Sequence, residues 1–329
     1  MRLRVLSGAD VETALDVDAL VDALAGAFAR LSEGRVSMPA RVGVDVPGRG
    51  SVLLMGAHRH DADTLAVKLV SLYAHQAPGG PPAHQAAIVV FDAHTGTPTA
   101  LMDGTAITAL RTAAASRLAT RLLARADARS LAVVGTGVQA RAHVRALARE
   151  RAFASIRIGG RRADAVAALA AELHIETGAP VAAADSIEAA VHGADVVCVA
   201  TAAQEPVLER DWLAAGAHVN SVGFTTSGRE LAPAVVRDAL VVVESRAAAL
   251  APAPAGSTDL LWAIRDGVID EGHLNAELGE LVSGARPGRT AGDQLTLYKS
   301  VGVGIEDDAA AALALEGARE RGLGTDVEL

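Results

Sequence analysis

One short apolar segment that runs into a glycine-rich turn restricts the possible folds of this chain more than any other feature. Residues 130–134 lead directly into Gly135, Thr136, Gly137, Val138, Gln139 and Ala140, and a segment with apolar residues at helical spacing follows. The first glycine permits a tight turn, the second lets backbone amides approach a pyrophosphate, and the small Ala140 lets the helix pack closely. The stretch predicts a strand–turn–helix unit that binds a dinucleotide. The alternative is a glycine turn in a Rossmann domain that holds no ligand.

The chain after residue 129 repeats this unit. Short apolar segments alternate with segments whose apolar residues recur at helical spacing. Repeated βα units of this length indicate a parallel sheet covered by helices on both faces. Strands are predicted at residues 130–134, 155–159, 181–183, 195–201, 217–222 and 240–243, and helices at residues ending near 150 and 173, at 187–191 and after Pro233.

The first part of the chain is organised differently. Residues 16–31 have the apolar spacing of an amphipathic helix with Asp16 as its N-cap, and strand-like segments separated by turns follow. They predict a mainly antiparallel or mixed sheet. The overall prediction is an α/β protein, with a Rossmann-type parallel sheet domain and a smaller α+β domain. The strand-like segments are residues 41–46, 51–57, 64–72, 86–91 and 98–102, and long helices are predicted at residues 103–126 and 306–321.

Composition excludes several classes of function. The 329 residues, half of them apolar, suit two domains, and a net charge of −9 argues against binding to nucleic acid. The N-terminal residues lack the apolar core of a signal peptide, and no window approaches the ~18 apolar residues of a membrane span. The single cysteine, Cys198, fits a reducing compartment. We therefore predict a cytoplasmic protein with neither nucleic acid nor a membrane as partner.

The end of the second strand of the repeating part bears on the choice of dinucleotide. NAD-binding domains usually place an acid there for the ribose hydroxyls, but this chain has Gly159, Gly160, Arg161 and Arg162. Arginine pairs well with a 2′-phosphate. Arg161 and Arg162 therefore favour NADP(H) over NAD(H). The alternative is two solvated arginines beside a pocket that accepts NAD(H).

Lysine is rare in this chain, which makes its two lysines candidates for chemistry. Of the 30 basic residues only Lys68 and Lys299 are lysine. Lys68 lies in the apolar run of residues 65–72, where a compact, titratable ammonium could act as a catalytic group. The competing interpretation is a lysine that protects an exposed strand edge from aggregation. Lys299 receives no role.

A histidine-rich segment offers a weak alternative kind of site. His58 and His60, with Asp61 and Asp63, supply nitrogen and oxygen donors. Strand alternation would put both histidines on one face, but ligands so close in sequence are usually solvated. No metal site is predicted.

Several motifs are spread along the chain, at residues 38–41, 67–70, 103–116, 133–140, 221–223, 229–231, 288–290 and 296–302. Together they resemble the ornithine cyclodeaminase/μ-crystallin family. The resemblance extends over almost the whole chain, and its most specific part is the Arg-Thr-Ala-Ala stretch of residues 111–114 joined to the glycine motif. We also assign Thr201, Val222 and Gly223 to the cofactor site.

The resemblance implies an architecture and a set of site residues. It implies a homodimer in which residues 1–118 with 303–329 form a substrate-binding and dimerisation domain and residues 119–302 form the Rossmann domain. Arg41 and Arg111 correspond to the arginines that hold the substrate carboxylate, and Lys68 to the lysine beside the reacting carbon and nitrogen. A guanidinium fork suits a small carboxylate, and a desolvated lysine can donate a proton. Taken alone, both arginines would be interpreted as surface cations.

One departure from the family pattern separates the possible reactions. Ornithine cyclodeaminases and the alanine dehydrogenase branch carry an aspartate two residues after the glycine that corresponds to Gly223, but this chain has Thr225. A neutral hydroxyl cannot serve as a carboxylate base toward an amine. Glu230 could approach the site, although a structural role is favoured. Reduction of a preformed imine needs no such base.

The predicted function is NAD(P)H-dependent reduction of a cyclic ketimine carboxylate, of the pyrroline-2-carboxylate or piperideine-2-carboxylate type, to the imino acid. The alternatives are an ornithine cyclodeaminase or amino-acid dehydrogenase that works without the aspartate, and a ligand-binding protein of the μ-crystallin kind without turnover. Thr225 disfavours the first alternative. The complete set of Arg41, Lys68 and Arg111 disfavours the second.

Overall fold

The computed structural model describes residues 2–73, 80, 82–225, 227–252 and 255–328. The chain divides into two compact units, Met1–Arg111 with Gly302–Leu329, and Thr112–Val301. The functional domain boundaries predicted above, 118/119 and 302/303, stay a prediction.

The first unit opens with a strand and two helices before most of its sheet. The helix predicted at residues 16–31 is confirmed: Asp16 precedes it, and its carboxylate accepts hydrogen bonds from the backbone N–H groups of Asp18 and Ala19. Such a cap satisfies donors that the first turn leaves without partners. The elements are β1 (Arg2–Leu6), α1 (Gly8–Ala14), α2 (Val17–Ser32), β2 (Val36–Ser37), β3 (Val42–Val46), β4 (Gly50–Arg59), β5 (Thr64–Leu72), β6 (His84–Asp92) and β7 (Pro98–Asp103). The boundary between the units, after Arg111, falls within α3 (Gly104–Leu123).

The second unit is built on strands that alternate with helices. The elements are β8 (Ser130–Val134), α4 (Val138–Glu150), β9 (Ser155–Gly159), α5 (Ala163–Thr177), β10 (Val181–Ala183), α6 (Ile187–Val191), β11 (Val196–Val199), β12 (His218–Ser221), α7 (Pro233–Asp238), β13 (Leu240–Val243), α8 (Arg246–Ala249), α9 (Thr258–Arg265), β14 (Leu274–Glu277), α10 (Leu278–Val282) and β15 (Thr296–Lys299), with 3₁₀ turns at Arg210–Trp212 and Glu271–His273.

All eight strands of the second unit run parallel, as predicted. Their order is β10-β9-β8-β11-β12-β15-β13-β14. The chain leaves β8 toward β9 on one side and later returns to β11 on the other. A ligand of an open α/β sheet binds outside the carboxyl ends of the strands at such a reversal. The predicted dinucleotide turn follows β8 at this position.

The chain ends in the first unit with α11 (Gly304–Arg321) and β16 (Thr325–Glu328). The sheet of this unit has the order β16-β1-β7-β6-β5-β4-β2, and β3 pairs with β4. It is mixed, because β1 is parallel to β7 whereas the other pairs are antiparallel. The alanine-rich α11 packs against α1, α2 and the central strands.

Candidate active site

Lys68 lies on β5, in the interior of the mixed sheet. It pairs with Met55 of β4 on one side and Ile88 of β6 on the other. Its side chain is only 2% exposed. The interpretation as a protective lysine on an exposed strand edge is therefore wrong, because β5 has no free edge and the ammonium is buried.

The Lys68 ammonium forms a buried ion pair. Its Nζ lies 2.7 Å from Oδ2 of Asp307, and it also donates to Oγ1 of Thr108 at 3.5 Å. Burial lowers the pKa of Lys68 to about 8, while the charge of Asp307 opposes this shift and that of Arg111 adds to it. A lysine with such a pKa can donate a proton near neutral pH.

The two arginines predicted to bind a carboxylate meet at Gly302. Nη2 of Arg41 donates to the carbonyl oxygen of Gly302 at 2.9 Å. Gly302 has a φ of +68°, and a Cβ atom there would lie 2.7 Å from Nη2 of Arg111. Glycine is therefore required at this position by both its backbone conformation and the adjacent guanidinium.

Arg111 is buried on α3 and shares its acidic partners with Lys68. Its Nη1 lies 3.0 Å from Oε2 of Glu306, and its Nε lies 3.4 Å from Oδ1 of Asp307. One carboxylate, Asp307, thus contacts both the lysine and an arginine. The interpretation of Arg111 as a surface cation is wrong, since the side chain is 6% exposed.

Sequence reasoning missed the acids that hold these cations. Glu306 and Asp307 lie in the first turn of α11, Asp308 follows them directly, and all three are buried. Asp308 pairs with Nε of Arg59 at 2.7 Å, and Glu306 accepts the backbone N–H of Val303. Helix N-termini favour negative charge. The alanine-rich sequence after them was an available signal, because a helix apolar on all sides is buried and its acids need partners.

His84 begins β6 near this group of charges. Burial lowers the pKa of His84, and the positive charges of Lys68 and Arg111 lower it further. A neutral imidazole is therefore favoured there. The histidine adds a polar group near Lys68 and Arg111 without adding another positive charge.

The dinucleotide turn has the geometry that its motif predicts. Gly135 has a φ of +125°, and a Cβ atom there would lie 2.5 Å from the carbonyl oxygen of Ala200. Gly137 is the N-cap of α4, with no side chain capping the helix and open space where a Cβ would be. The N–H groups of the first turn, at Val138, Gln139 and Ala140, follow it. An uncapped N-terminus of this kind binds a pyrophosphate, so the residues fit a dinucleotide.

Two exposed groups border this turn. Val138 is 63% exposed at the start of α4. Arg161 and Arg162 follow β9 and are both exposed. Within the part of the chain that the structure describes, no ion pair or hydrogen bond of either guanidinium is found.

The other predicted cofactor residues follow β11 and β12. Thr201 and Gly223 are both bonded to Glu230: the Thr201 N–H donates to Oε1 at 2.7 Å, and the Gly223 N–H donates to Oε2 at 2.8 Å. Val222 donates its N–H to the carbonyl oxygen of Val199. Glu230 is buried with these partners, and these bonds agree with the structural role favoured for it.

Thr225 lies in a neutral hydrogen-bonded group. Its Oγ1 accepts from Nε2 of Gln204 at 3.0 Å and from the backbone N–H of Ser227 at 3.3 Å. Ser227 in turn donates its hydroxyl to Oε1 of Gln204. These three side chains include no carboxylate.

The histidine-rich segment has ordinary hydrogen bonds. His58 Nε2 lies 3.2 Å from the carbonyl oxygen of Ala62, and His60 Nε2 lies 3.0 Å from Oγ of Ser37. In the described ranges no group of three or more metal-ligating side chains is present.

The fold and these residues define a protein with a Rossmann dinucleotide unit and a buried cationic cluster on a mixed sheet. The chain belongs to the ornithine cyclodeaminase/mu-crystallin family, whose model matches residues 2–322. It is 36% identical over 291 residues to ketimine reductase mu-crystallin of Mus musculus, covering 88% of each chain.

Solved structures agree with this assignment. Δ1-pyrroline-2-carboxylate reductase of Thermococcus litoralis, in complex with NADH and L-proline, is 38% identical with a TM-score of 0.94, over 99% of this chain and 100% of that one. An archaeal alanine dehydrogenase dimer with bound NAD is 26% identical with a TM-score of 0.93, over 100% of both chains. Among the described helices, none is both long and apolar enough to span a bilayer.

Proposed function

We propose that this protein is an NAD(P)H-dependent reductase of a cyclic ketimine carboxylate, of the pyrroline-2-carboxylate or piperideine-2-carboxylate type. The observation that carries the proposal is the buried cluster in which Asp307 contacts both Lys68 and Arg111. It supports the proposal because a titratable ammonium and a guanidinium of a kind that suits a small carboxylate share one buried acid. The similarity to a ketimine reductase and to a pyrroline-2-carboxylate reductase supports the same reaction class.

Four residues of the candidate site have a chemical role in this proposal. Arg41 and Arg111 bind the substrate carboxylate, and their forked donors fix its orientation. Lys68 donates a proton to the imine nitrogen as the C=N π bond breaks, and it becomes a neutral amine. The reduced nicotinamide, when bound, supplies the hydride for the imine carbon. Asp307 keeps Lys68 protonated and in place before the reaction.

The neutral group around Thr225 favours reduction over cyclodeamination. Oxidation of an amino acid needs a base for the substrate amine, and Thr225 offers a hydroxyl already bonded to Gln204. Reduction starts from an imine and needs a proton donor instead. Lys68 can donate that proton, and the reaction needs no acid or base from the loop that contains Thr225.

A direct assay tests the proposed function. Purified protein is supplied with NADPH or NADH and a five- or six-membered ketimine carboxylate, and loss of reduced cofactor is followed. We expect oxidation only when a ketimine is present. Conversion of ornithine to proline and ammonia without ketimine reduction would instead support the cyclodeaminase. Cofactor-dependent ligand binding with no oxidation would support a binding protein.

We also propose a preference for NADP(H). Its support is that Arg161 and Arg162 lie exposed at the end of β9, where a 2′-phosphate would need cations. For the double variant R161A/R162A we expect kcat/KM with NADPH to fall about 10- to 100-fold. This factor corresponds to the free energy that hydrogen bonds to charged groups usually contribute. We expect the value with NADH to change by less than about threefold, since NADH has no phosphate to lose contact with. Initial rates with both cofactors check this.

The matched control for that pair is R145A, which removes an exposed arginine of α4 that pairs with Glu176. It should leave the ratio of NADPH to NADH efficiency unchanged. If R161A/R162A lowers both efficiencies equally, or neither, the NADP(H) preference does not come from these arginines.

The assembly that we propose is a homodimer. Four apolar side chains on β3, β4 and β5 of the mixed sheet are exposed: Val42, Val44, Leu54 and Leu69. Val42 pairs with Leu54, and Leu54 pairs with Leu69. Because Val44 follows Val42 by two residues on β3, all four lie on one face of the sheet. That face is opposite to Lys68, the next residue to Leu69 on β5. A contiguous apolar face of this kind marks an interface, and the similar alanine dehydrogenase is a dimer. Light scattering should give twice the chain mass, and a monomeric mass would contradict the proposal.

The cytoplasmic location stays a prediction.

The pH profile of the reaction tests the part played by Asp307. A proton donor is active below its pKa, so kcat/KM should fall as pH rises through about 8, the pKa of Lys68. The Asp307 carboxylate raises that pKa, and its removal in D307N should move the fall in kcat/KM to lower pH. The titration of the ketimine itself is common to both proteins and cancels in the comparison.

The control for this profile is D308N, on the same turn of α11. Asp308 pairs with Arg59, whereas Lys68 pairs with Asp307. Its pH profile should match that of the unmodified protein. A D307N profile that stays in place, or moves to higher pH, would show that Asp307 does not support the protonated lysine.

A further inference from the structure

A second buried charge cluster, in the parallel-sheet unit, lies outside the chemistry described so far. Its centre is Glu230, whose side chain is about 1% exposed. Four donors meet its carboxylate: Oε1 accepts from the N–H and hydroxyl of Thr201, both at 2.7 Å, and Oε2 accepts from the Ser221 hydroxyl at 3.0 Å and the Gly223 N–H at 2.8 Å. Burial raises the pKa of Glu230, while the Lys299 ammonium and the hydrogen bonds from Thr201 oppose that rise.

Lys299 provides the opposite charge. This lysine ends β15, and its Nζ lies 2.9 Å from Oδ2 of Asp259 and 3.9 Å from Oε2 of Glu230. It also donates to the Ser221 hydroxyl and to the carbonyl oxygen of Gly223. Burial opposes the charged form, but the carboxylates of Asp259 and Glu230 raise the pKa of Lys299. The ammonium is therefore held charged inside the unit.

Asp259 completes the cluster from the first turn of α9. Its Oδ1 accepts the backbone N–H groups of Glu230 and Leu231. Asp259 thus holds the main chain at Glu230, as the four donors hold its carboxylate. We call Glu230, Asp259 and Lys299 the ionic clasp.

The position of the clasp in the sheet indicates what it controls. Thr201 follows β11 and Gly223 follows β12, both at the carboxyl edge of the sheet and on the opposite side of β8 from β9. The dinucleotide turn touches this region, since Gly135 packs against the carbonyl oxygen of Ala200. In a Rossmann sheet the adenosine half of the ligand lies toward the β9 side, so the nicotinamide half extends toward β11 and β12.

We propose that the ionic clasp positions Thr201 and Gly223 to bind the nicotinamide half of the dinucleotide. Glu230 and Lys299 touch neither cofactor nor substrate in this proposal, and they act as positioning residues. The proposal rests on the dinucleotide site of the proposed function but not on the identity of the imine. It assigns a role to Lys299, which sequence reasoning could not do.

A purely structural clasp would behave differently. If it only stabilised the unit, its loss would weaken the adenosine and nicotinamide halves of the cofactor site together, through partial unfolding. Loss of a clasp that positions Thr201 and Gly223 would weaken binding of the nicotinamide half alone. Ligands that contain or lack the nicotinamide separate the two cases without any measurement of turnover.

The test compares binding of NADPH with binding of 2′-phospho-ADP-ribose, which lacks the nicotinamide. NADH and ADP-ribose form a second pair, so the result does not depend on the preferred cofactor. For E230Q and K299M we expect the Kd of each reduced cofactor to rise about tenfold or more, as for loss of one or two good hydrogen bonds. The Kd of each nicotinamide-free fragment should stay within about twofold. Titration calorimetry gives all four values.

Two further variants make the outcome independent of folding. S221A removes one donor to Glu230 and little volume, and it should raise the Kd of the reduced cofactors selectively but less strongly. E188Q changes an exposed glutamate of α6 and should change none of the four values. Thermal unfolding checks that each variant is folded at the temperature of the titration.

Equal weakening of fragment and whole cofactor in E230Q, K299M and S221A would overturn the proposal, as would no effect on either. Failure of the proposed reaction is a separate result. A protein that reduces no ketimine can still show the selective loss of nicotinamide binding, and an active reductase can fail to show it.

Discussion

K68M should reduce kcat for ketimine reduction by about 10²- to 10⁴-fold, the range for loss of a general acid. Methionine keeps most of the volume of the lysine but has no proton to donate. The imine nitrogen would then have to take its proton from water. Arg41 and Arg111 remain to bind the carboxylate, so KM should change much less than kcat. Steady-state rates with saturating cofactor check both values.

Partial unfolding of K68M would also lower kcat, because the substitution leaves Asp307 without its ammonium partner. Removing one member of a buried ion pair costs about 3–5 kcal/mol, whereas removing both can be neutral. The double variant K68M/D307N should therefore regain much of the stability that K68M loses, measured by denaturant unfolding. Its kcat should stay as low as that of K68M. Recovery of activity together with stability would show that Lys68 acts only through the fold.

R111K should raise the KM for the ketimine by about 10- to 100-fold and leave kcat less affected. Lysine keeps the positive charge that Glu306 and Asp307 need, so the ion pairs of the cluster are largely preserved. It loses the planar fork that binds a carboxylate through two bonds, and hydrogen bonds to charged groups contribute about 1.5–3 kcal/mol each. R111M should lose more binding and also destabilise the protein.

R59M is the matched control for the arginine variants. Arg59 pairs with Asp308 on the same turn of α11, but it has no part in the proposed substrate site. Its loss should lower the free energy of unfolding without raising the KM. Equal KM values for R111K and the unmodified protein would show that Arg111 does not hold the substrate carboxylate.

The repeating part of the fold could be predicted well from the sequence, since each βα unit carries a local pattern. Strands β8, β9, β10 and β13 have the predicted bounds. Strand β15 was missed although it lies inside the parallel sheet. Its four residues follow an irregular stretch and show no periodicity, so only pairing with β12 and β13, far away in sequence, defines it.

The candidate site was partly predictable for a similar reason. Lys68 stands out because lysine is rare here, and Arg41 and Arg111 stand in recognisable motifs. Their acidic partners, Glu306 and Asp307, come from α11, about 200 residues from Arg111 in the chain. No local pattern joins residues so distant, and the pairing depends on α11 packing against the mixed sheet.

The two lysines illustrate what burial adds to residue type. Both are about 2% exposed, yet burial dominates the pKa of Lys68 and lowers it, whereas two carboxylates raise that of Lys299. The first suits a proton donor and the second a permanent positive charge. The composition of the chain does not distinguish the two lysines, whereas the charged residues around each of them do.

The most direct test of the proposed reaction follows the hydride itself. The protein is supplied with a ketimine carboxylate and with reduced cofactor that carries deuterium at the transferable position of the nicotinamide, and the product is examined by mass spectrometry and NMR. We predict a cyclic imino acid with one deuterium on the carbon that bears the carboxylate. Product without that deuterium, or ammonia release from ornithine with no reduction of ketimine, would contradict the account.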